Sequence, residues 1–477
     1  MNTILDKIFE NIDLKKIAVI DNNSEYTYEN LFNDCNLLIE YFKNKFGNNK
    51  KICISLPNCY ISIVIFLISS KLNYKIFPIN SNLSNLNINS YIQKYKFDIF
   101  IGDNPYLKNI FRQNISRTIF LTKDRIQKVL KKSIKFKYLK KNVNNITDNP
   151  YLIILSSGST GDPKPIILSQ KNKYLRSFYA GKLYKFNRNE RIILQYELDH
   201  SVGQRLMFMS LFHAATLIIT EKFNEELWYK KCIDYKITFS ILVSTHIKRI
   251  IKKKFNLNKL IHLKNLVSVS DVLEDRVRKK VLKYNFNFHE IYGAAEISTV
   301  ANIKHRKNST SKSVGKILQI AKVKILKNKK FLKDGKIGEI ICKTPLMFSC
   351  YFKKSKVTRN SFHKGYFKTG DLGYIKKNHI YFIGRIKNMF KVSGIAVYPE
   401  DIEKILKMNK YVEDCIIKSE YDEISGQKII AEILGNRKYE DNIYFYCIDN
   451  LETFQIPSKF KFVENFNKTS LGKIKRN

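Results

Sequence analysis

This chain of 477 residues is defined first by what it lacks. Its eight cysteines include no CxxC pair, and several lie inside apolar runs. That spacing argues against a structural zinc site and for buried, reduced thiols. No apolar run approaches the roughly 20 residues that a bilayer-spanning helix needs. The most apolar segment, Ile61 to Ser70, reads as a buried helix. The amphipathic start, Met1-Asn2-Thr3-Ile4-Leu5-Asp6, carries an acid early and does not read as a signal peptide. A cytoplasmic protein without a transmembrane segment is expected. No internal repeat is visible. Acids are scarce: 42 Asp and Glu face 85 Lys and Arg, a net charge of +43. Such an excess ordinarily points to nucleic acid or an anionic membrane. Here the lysines are spread along the chain, in runs no longer than ones like Lys252-Lys253-Lys254. Asn, Ile and Tyr are also abundant, a pattern of biased codon usage. No dedicated nucleic-acid site is expected.

What is present is enough to build a large core, with 44% hydrophobic residues. The length exceeds one compact core, so two or more domains are expected. Up to about residue 384, short apolar strands alternate with helical patterns. Ile52-Cys53-Ile54-Ser55-Leu56, Leu217-Ile218-Ile219 and Ser240-Ile241-Leu242-Val243 read as strands, and Glu225 to Tyr235 as a helix. Such alternation predicts a layered α/β fold. From Asp371 the texture turns hairpin-like, with Tyr374-Ile375 and Ile380 to Ile383 flanking a Lys377-Asn378 turn. Pro399 to Met408 reads as a helix opened by proline. Cys415 to Ile417 and Ile429 to Leu434 suit two more strands. The expectation is a large multi-layered domain over 1–384 and a small mobile α+β lid over 385–477. The Lys- and Asn-rich stretch 303–313 reads as a solvated loop.

One segment carries most of the chemistry. The apolar run Tyr151 to Leu155 delivers the loop Ser156-Ser157-Gly158-Ser159-Thr160-Gly161-Asp162-Pro163-Lys164. Glycine lets backbone N–H groups approach an anion, Ser and Thr donate hydrogen bonds, and Lys164 adds charge. This is a site for polyphosphate oxygens. It lacks the Gly-Lys-Ser/Thr of the common nucleotide loop.

Four further motifs follow in order: Tyr292-Gly293-Ala294-Ala295-Glu296, Tyr366-Phe367-Lys368-Thr369-Gly370-Asp371, Gly384-Arg385 through Gly394, and Thr469-Ser470-Leu471-Gly472-Lys473. Together with the loop they resemble the adenylate-forming superfamily of acyl-CoA synthetases, luciferases and peptide-synthetase adenylation domains. The resemblance covers nearly the whole chain and is nearest to a stand-alone acyl-CoA synthetase.

It implies ATP, Mg²⁺ and CoA as cofactors and a carboxylic acid as substrate. The acid would attack the α-phosphorus of ATP, pyrophosphate would leave, and a thiol would take the acyl group from the adenylate. By resemblance Ser156 to Lys164 grips phosphates, Tyr292 stacks on adenine beside Gly293, and Glu296 coordinates Mg²⁺. Asp371 and Arg385 meet the ribose, Lys387 marks the hinge, Lys473 serves adenylation and Lys391 the thiol transfer. In so lysine-rich a chain only motif context singles those lysines out.

Four departures stand out. Pro165 replaces a usual Gly and Ala295 a usual Thr. Ser268-Val269-Ser270 replaces a small glycine-rich turn, and Phe466-Asn467 a usual Leu-Pro. The acyl pocket is ambiguous. His200-Ser201-Val202-Gly203 resembles CoA ligases, while Leu198-Asp199-His200-Ser201 resembles amino-acid adenylation domains. The acceptor is accordingly CoA or the phosphopantetheine of a separate carrier protein. A basic nucleic-acid binder on a degenerate enzyme fold is the remaining alternative.

Overall fold

The computed structural model describes all residues except 1, 104–117, 141, 157–163, 221, 306–312, 394, 423–425, 468–473 and 475–477. Two sheets dominate. One has seven strands, with Lys51–Ser55 flanked in parallel by Lys75–Pro78 and Ile99–Gly102. At its other end Pro150–Ser156 runs antiparallel to Lys164–Ser169. The second sheet has fifteen strands. Its parallel part joins Arg191–Leu194, Thr216–Ile219, Phe239–Val243, Asn265–Val269 and Asn287–Ala294. It continues antiparallel through Ser298–Lys304 to the hairpin Tyr366–Lys376/His379–Arg385.

Period-2 alternation decides which layer each strand residue enters. Ile52 and Ile54, Leu152 and Ile154, Ile192 and Leu194, and Ile241 and Val243 all point into one core between the sheets. The residues between them face outward into two separate cores. Cys53 and Ile153 join one, and Ile193 and Leu242 the other. The helix Tyr60–Lys71 lies in the shared core, buried from Tyr60 to Ser70. A helix apolar on every side belongs inside, and this one is.

The fourth core is C-terminal. It packs the helix Pro399–Leu406 against Val412–Asp422 and Gly426–Gly435. Pro399 occupies the first helical turn, where its missing N–H costs nothing. Ion pairs seat this unit on the larger one: exposed Lys252 meets Glu413 at 2.8 Å, and half-buried Lys248 meets Asp414 at 3.9 Å.

The hairpin expected from Asp371 onward is present and belongs to the fifteen-stranded sheet. One expectation needs correction. Lys304 ends a strand and His305 is buried, so this stretch does not begin as a solvated loop. The reason is Glu290, whose carboxylate lies 2.6 Å from the His305 ring. The cysteines are all free, seven buried and Cys350 half-buried. No helix among the described residues is long and apolar enough to cross a membrane.

Two buried histidines set an acid limit on stability. Burial, with Arg249 nearby, lowers His246 to about 3, and burial lowers His289 to about 4. Both folded values lie below the unfolded one near 6.5, so the unfolded chain binds more protons in between. Their contribution is whole above pH 6.5 and declines as pH falls toward 3–4. At pH 5 the loss is about 2 kcal/mol per imidazole. Denaturant midpoints at pH 7 and 5 check this. His246→Gln keeps a partner for the Tyr196 hydroxyl, which bonds His246 Nδ1 at 2.9 Å. An unchanged pH slope in that variant would count against a neutral buried imidazole.

Candidate active site

The hairpin builds the first part of the site. Lys377 and Asn378 both have positive φ, 49° and 60°, the conformation of a two-residue hairpin turn. That turn sets a register in which Asp371 lies opposite Arg385. Their side chains meet, Arg385 Nε standing 2.8 Å from Asp371 Oδ1. From the neighbouring part of the sheet the Tyr292 hydroxyl donates to Asp371 Oδ2 at 2.6 Å. Asp371 is only 5% exposed. Burial, then the Asp371 charge, pushes the Tyr292 phenol well above its ordinary value, so it remains a donor. Three residues expected to share a nucleotide are therefore in contact.

The second part lies around Glu296. Tyr292 lies on the strand Asn287–Ala294, which ends at the turn 295–297. A Cβ on Gly293 would collide with the Ser298 carbonyl, so this position needs glycine. Beyond it, Glu296 Oε1 accepts from the Tyr351 hydroxyl at 2.9 Å. Lys164 Nζ stands 5.6 Å from the Tyr351 ring centroid. Lys164 opens its strand directly opposite Ser156, so the two ends of the proposed phosphate loop are adjacent. Ser157, Gly158, Ser159, Thr160 and Gly161 lie outside the described residues, as does Lys473.

The third part is the start of the helix Ser201–Phe212. His200 is its N-cap residue, with its ring 4.0 Å from Asp199. Burial raises Asp199, and burial followed by Asp199 raises Glu197. The carboxylates of Glu197 and Asp199 and the His200 ring present ligand atoms within 4.8 Å of one another.

A family model described as AMP-binding enzyme matches residues 11–352. The chain belongs to the AMP-binding enzyme family. It is similar to the 2-succinylbenzoate–CoA ligase of Oceanobacillus iheyensis, 23% identical over 97% of this chain and 95% of the relative. It is also similar to the oxalate–CoA ligase of Saccharomyces cerevisiae, 23% identical over 96% and 93%. Among solved structures, ATP-bound MatB from Rhodopseudomonas palustris superposes with a TM-score of 0.90 at 18% identity, covering 99% of this chain and 97% of that one. The adenylate-forming fold expected from the motifs is the fold observed.

As an AMP-binding enzyme the chain also has residues that no motif signalled. Tyr351 is buried and holds Glu296 from 55 residues away. Arg176 donates to the carbonyls of Ala295 at 2.9 Å, Glu296 at 3.1 Å and Leu346 at 2.9 Å, fixing the turn that carries Glu296. Glu339 accepts from the Gly370 N–H at 3.1 Å beside Asp371. Within the Ser268-Val269-Ser270 departure, Ser270 has φ 81°, which places a side chain in the left-handed region. Lys387 sits in the exposed turn Ile386–Asn388, and Lys391 is exposed on the strand Phe390–Val392.

Tyr351 gives a direct test of the Glu296 pairing. Burial, then Glu296, raises its phenol, so it stays protonated and donates. A hydrogen bond to a charged group is worth about 1.5–3 kcal/mol. Tyr351→Phe is therefore expected to raise KM for Mg-ATP on the order of tenfold. Steady-state kinetics over a magnesium titration would show it. Unchanged magnesium dependence would remove the role assigned to this hydroxyl.

Proposed function

We propose that this enzyme activates a carboxylic acid as its acyl-adenylate and transfers the acyl group to CoA. The observation that carries this reading is the Tyr292–Asp371–Arg385 contact. Asp371, oriented by Tyr292 and Arg385, is the carboxylate assigned to the ribose hydroxyls. The same hydrogen bond fixes the Tyr292 ring as a face for adenine. Phosphates then fall to the Ser156–Lys164 loop.

Glu296 fits Mg²⁺. It offers a hard carboxylate oxygen, and only Oε1 is hydrogen-bonded among the described residues, by Tyr351. When bound, the ion would offset the charge of the phosphates. The remaining steps belong to the chain. Two anions must meet at the α-phosphorus, so Lys164 and Lys473 supply preorganised positive charge. The carboxylate oxygen bonds to the α-phosphorus and the bond to pyrophosphate breaks. A thiol sulfur then bonds to the acyl carbon, its proton goes to solvent, and AMP leaves.

Residues 385–477 act as the lid. Their separate core and exposed ion-pair seating suit a body that pivots at Lys387. Pivoting would exchange Lys473 for Lys391.

CoA is favoured over a carrier protein by the His200-Ser201-Val202-Gly203 match, by Lys387 at the hinge, and by relatives named as CoA ligases. The acids named for those relatives differ greatly in size, so they favour the reaction and leave the acid open. Incubating the enzyme with ATP, a turned-over acid and CoA should consume free thiol. Adenylate formation with thioester appearing only on an added carrier protein would overturn the CoA assignment.

A further inference from the structure

The helices Gln170–Tyr184 and Ser201–Phe212 gather three cations beneath the Glu296 turn: Lys173, Arg176 and Arg205. Lys173 and Arg176 are buried, and Arg205 is half-buried. Among the described residues no carboxylate bonds any of them. Lys173 Nζ has Gln204 Oε1 at 3.4 Å and the Phe208 ring at 4.9 Å. Arg205 donates to Thr299 Oγ1 at 3.0 Å and Ser298 Oγ at 3.3 Å. Arg176 is engaged with the three carbonyls already described. Neutral oxygens satisfy these donors, and the Glu296 charge reaches Arg176 without a direct bond.

The contrast within the molecule is informative. Acids are scarce, yet other buried cations receive them. Arg278 has Glu290 and Asp275, and Lys407 has Asp414. The cluster beneath the turn is left to hydroxyls, an amide and carbonyls. Burial, then Arg176 and Arg205, holds Lys173 well below the usual lysine value. Excess buried positive charge is the mark of a site completed by an anion.

The cluster also has an opening. Ser201, Val202 and Arg205 share one face of their helix, and all three are half-buried. Across from them, Tyr292, Ala294, Ala295 and Glu296 are half-buried as well. Arg205 therefore reaches from the His200 end of its helix to Ser298 and Thr299, just past the turn that carries Glu296.

We propose that Arg205, backed by Lys173, holds a second acidic group on the acyl substrate, and that the substrate is a dicarboxylic acid. This identification of the ligand rests on the ligase reading above. ATP phosphates are assigned to the Ser156–Lys164 loop, so the cluster needs a different anion. Arg205 is a specificity residue here. Its planar guanidinium suits a carboxylate better than an ammonium would.

The test uses matched acids with the full chain: succinate against butyrate, glutarate against pentanoate, and isophthalate against benzoate. Pyrophosphate exchange into ATP gives kcat/KM for each, and melting without ATP reports binding alone. In the best-used pair the diacid is expected to exceed the monoacid on the order of tenfold or more. Arg205→Gln, which can still bond the two hydroxyls, should bring that ratio toward one. Arg205→Lys, which keeps the charge, should preserve more of it. Equal use of both acids by the wild type, or an unchanged ratio in Arg205→Gln, overturns the proposal. If no acid supports exchange, the ligase reading fails. The subsite then stands only if a diacid raises the wild-type melting point and leaves Arg205→Gln unmoved; no shift overturns it too. A shift by pyrophosphate alone that Arg205→Gln abolishes would give the cluster to the nucleotide instead.

Discussion

Asp371→Asn is expected to weaken ATP binding and slow acyl-adenylate formation by about 10²–10³-fold. The side chain keeps its size, so the cause is charge. Asp371 is nearly enclosed and serves Arg385 and Tyr292 together. An amide accepts on one side only and donates on the other, where Arg385 also donates. Nucleotide binding would then lose a fixed ribose acceptor and the ring orientation that Tyr292 takes from it. The Arg385 side chain is 41% exposed, so water can replace its partner. Global stability should accordingly fall much less than activity. Calorimetry with ATP separates the two, read beside the denaturant midpoint. Unchanged ATP affinity would remove the ribose role of Asp371.

The next largest effect concerns the two half-reactions. Lys473→Ala should slow adenylation by about 10²–10³-fold, the effect of losing a preorganised charge at a transition state. It should still convert chemically supplied acyl-AMP to thioester. Lys391→Ala should form acyl-AMP normally and be slow in thioester formation. The exposed position of Lys391 suits a residue that acts only after lid rotation. Equal impairment of both half-reactions by Lys473→Ala would rule out the exchange of lysines.

The parts of the fold legible in the sequence are those dictated by neighbours along the chain. The strand Pro150–Ser156, the Lys377-Asn378 turn and the proline-opened helix each follow from local patterning. Asp371 and Arg385 were legible as motif residues, and the hairpin register then brings them together. Contacts between distant segments left no local trace. Arg176 meets the Glu296 turn from 120 residues away, and Tyr351 sits in no motif. His305 was hidden among lysines and asparagines because its burial is decided by Glu290 on an adjacent strand. The same limit applies to the cations around Arg205. One helix supplies two of them and another the third, and the acid missing beside them is visible only in three dimensions.

The central claim is that a carboxylate oxygen of the substrate becomes bonded to the α-phosphorus of ATP. Isotope transfer tests it most directly. The enzyme would be incubated with ATP, Mg²⁺, CoA and a turned-over acid carrying ¹⁸O in its carboxylate, and the nucleotide product analysed by mass spectrometry. The account predicts AMP carrying one ¹⁸O, with unlabelled pyrophosphate. Unlabelled AMP, or ADP with label in inorganic phosphate, would contradict it.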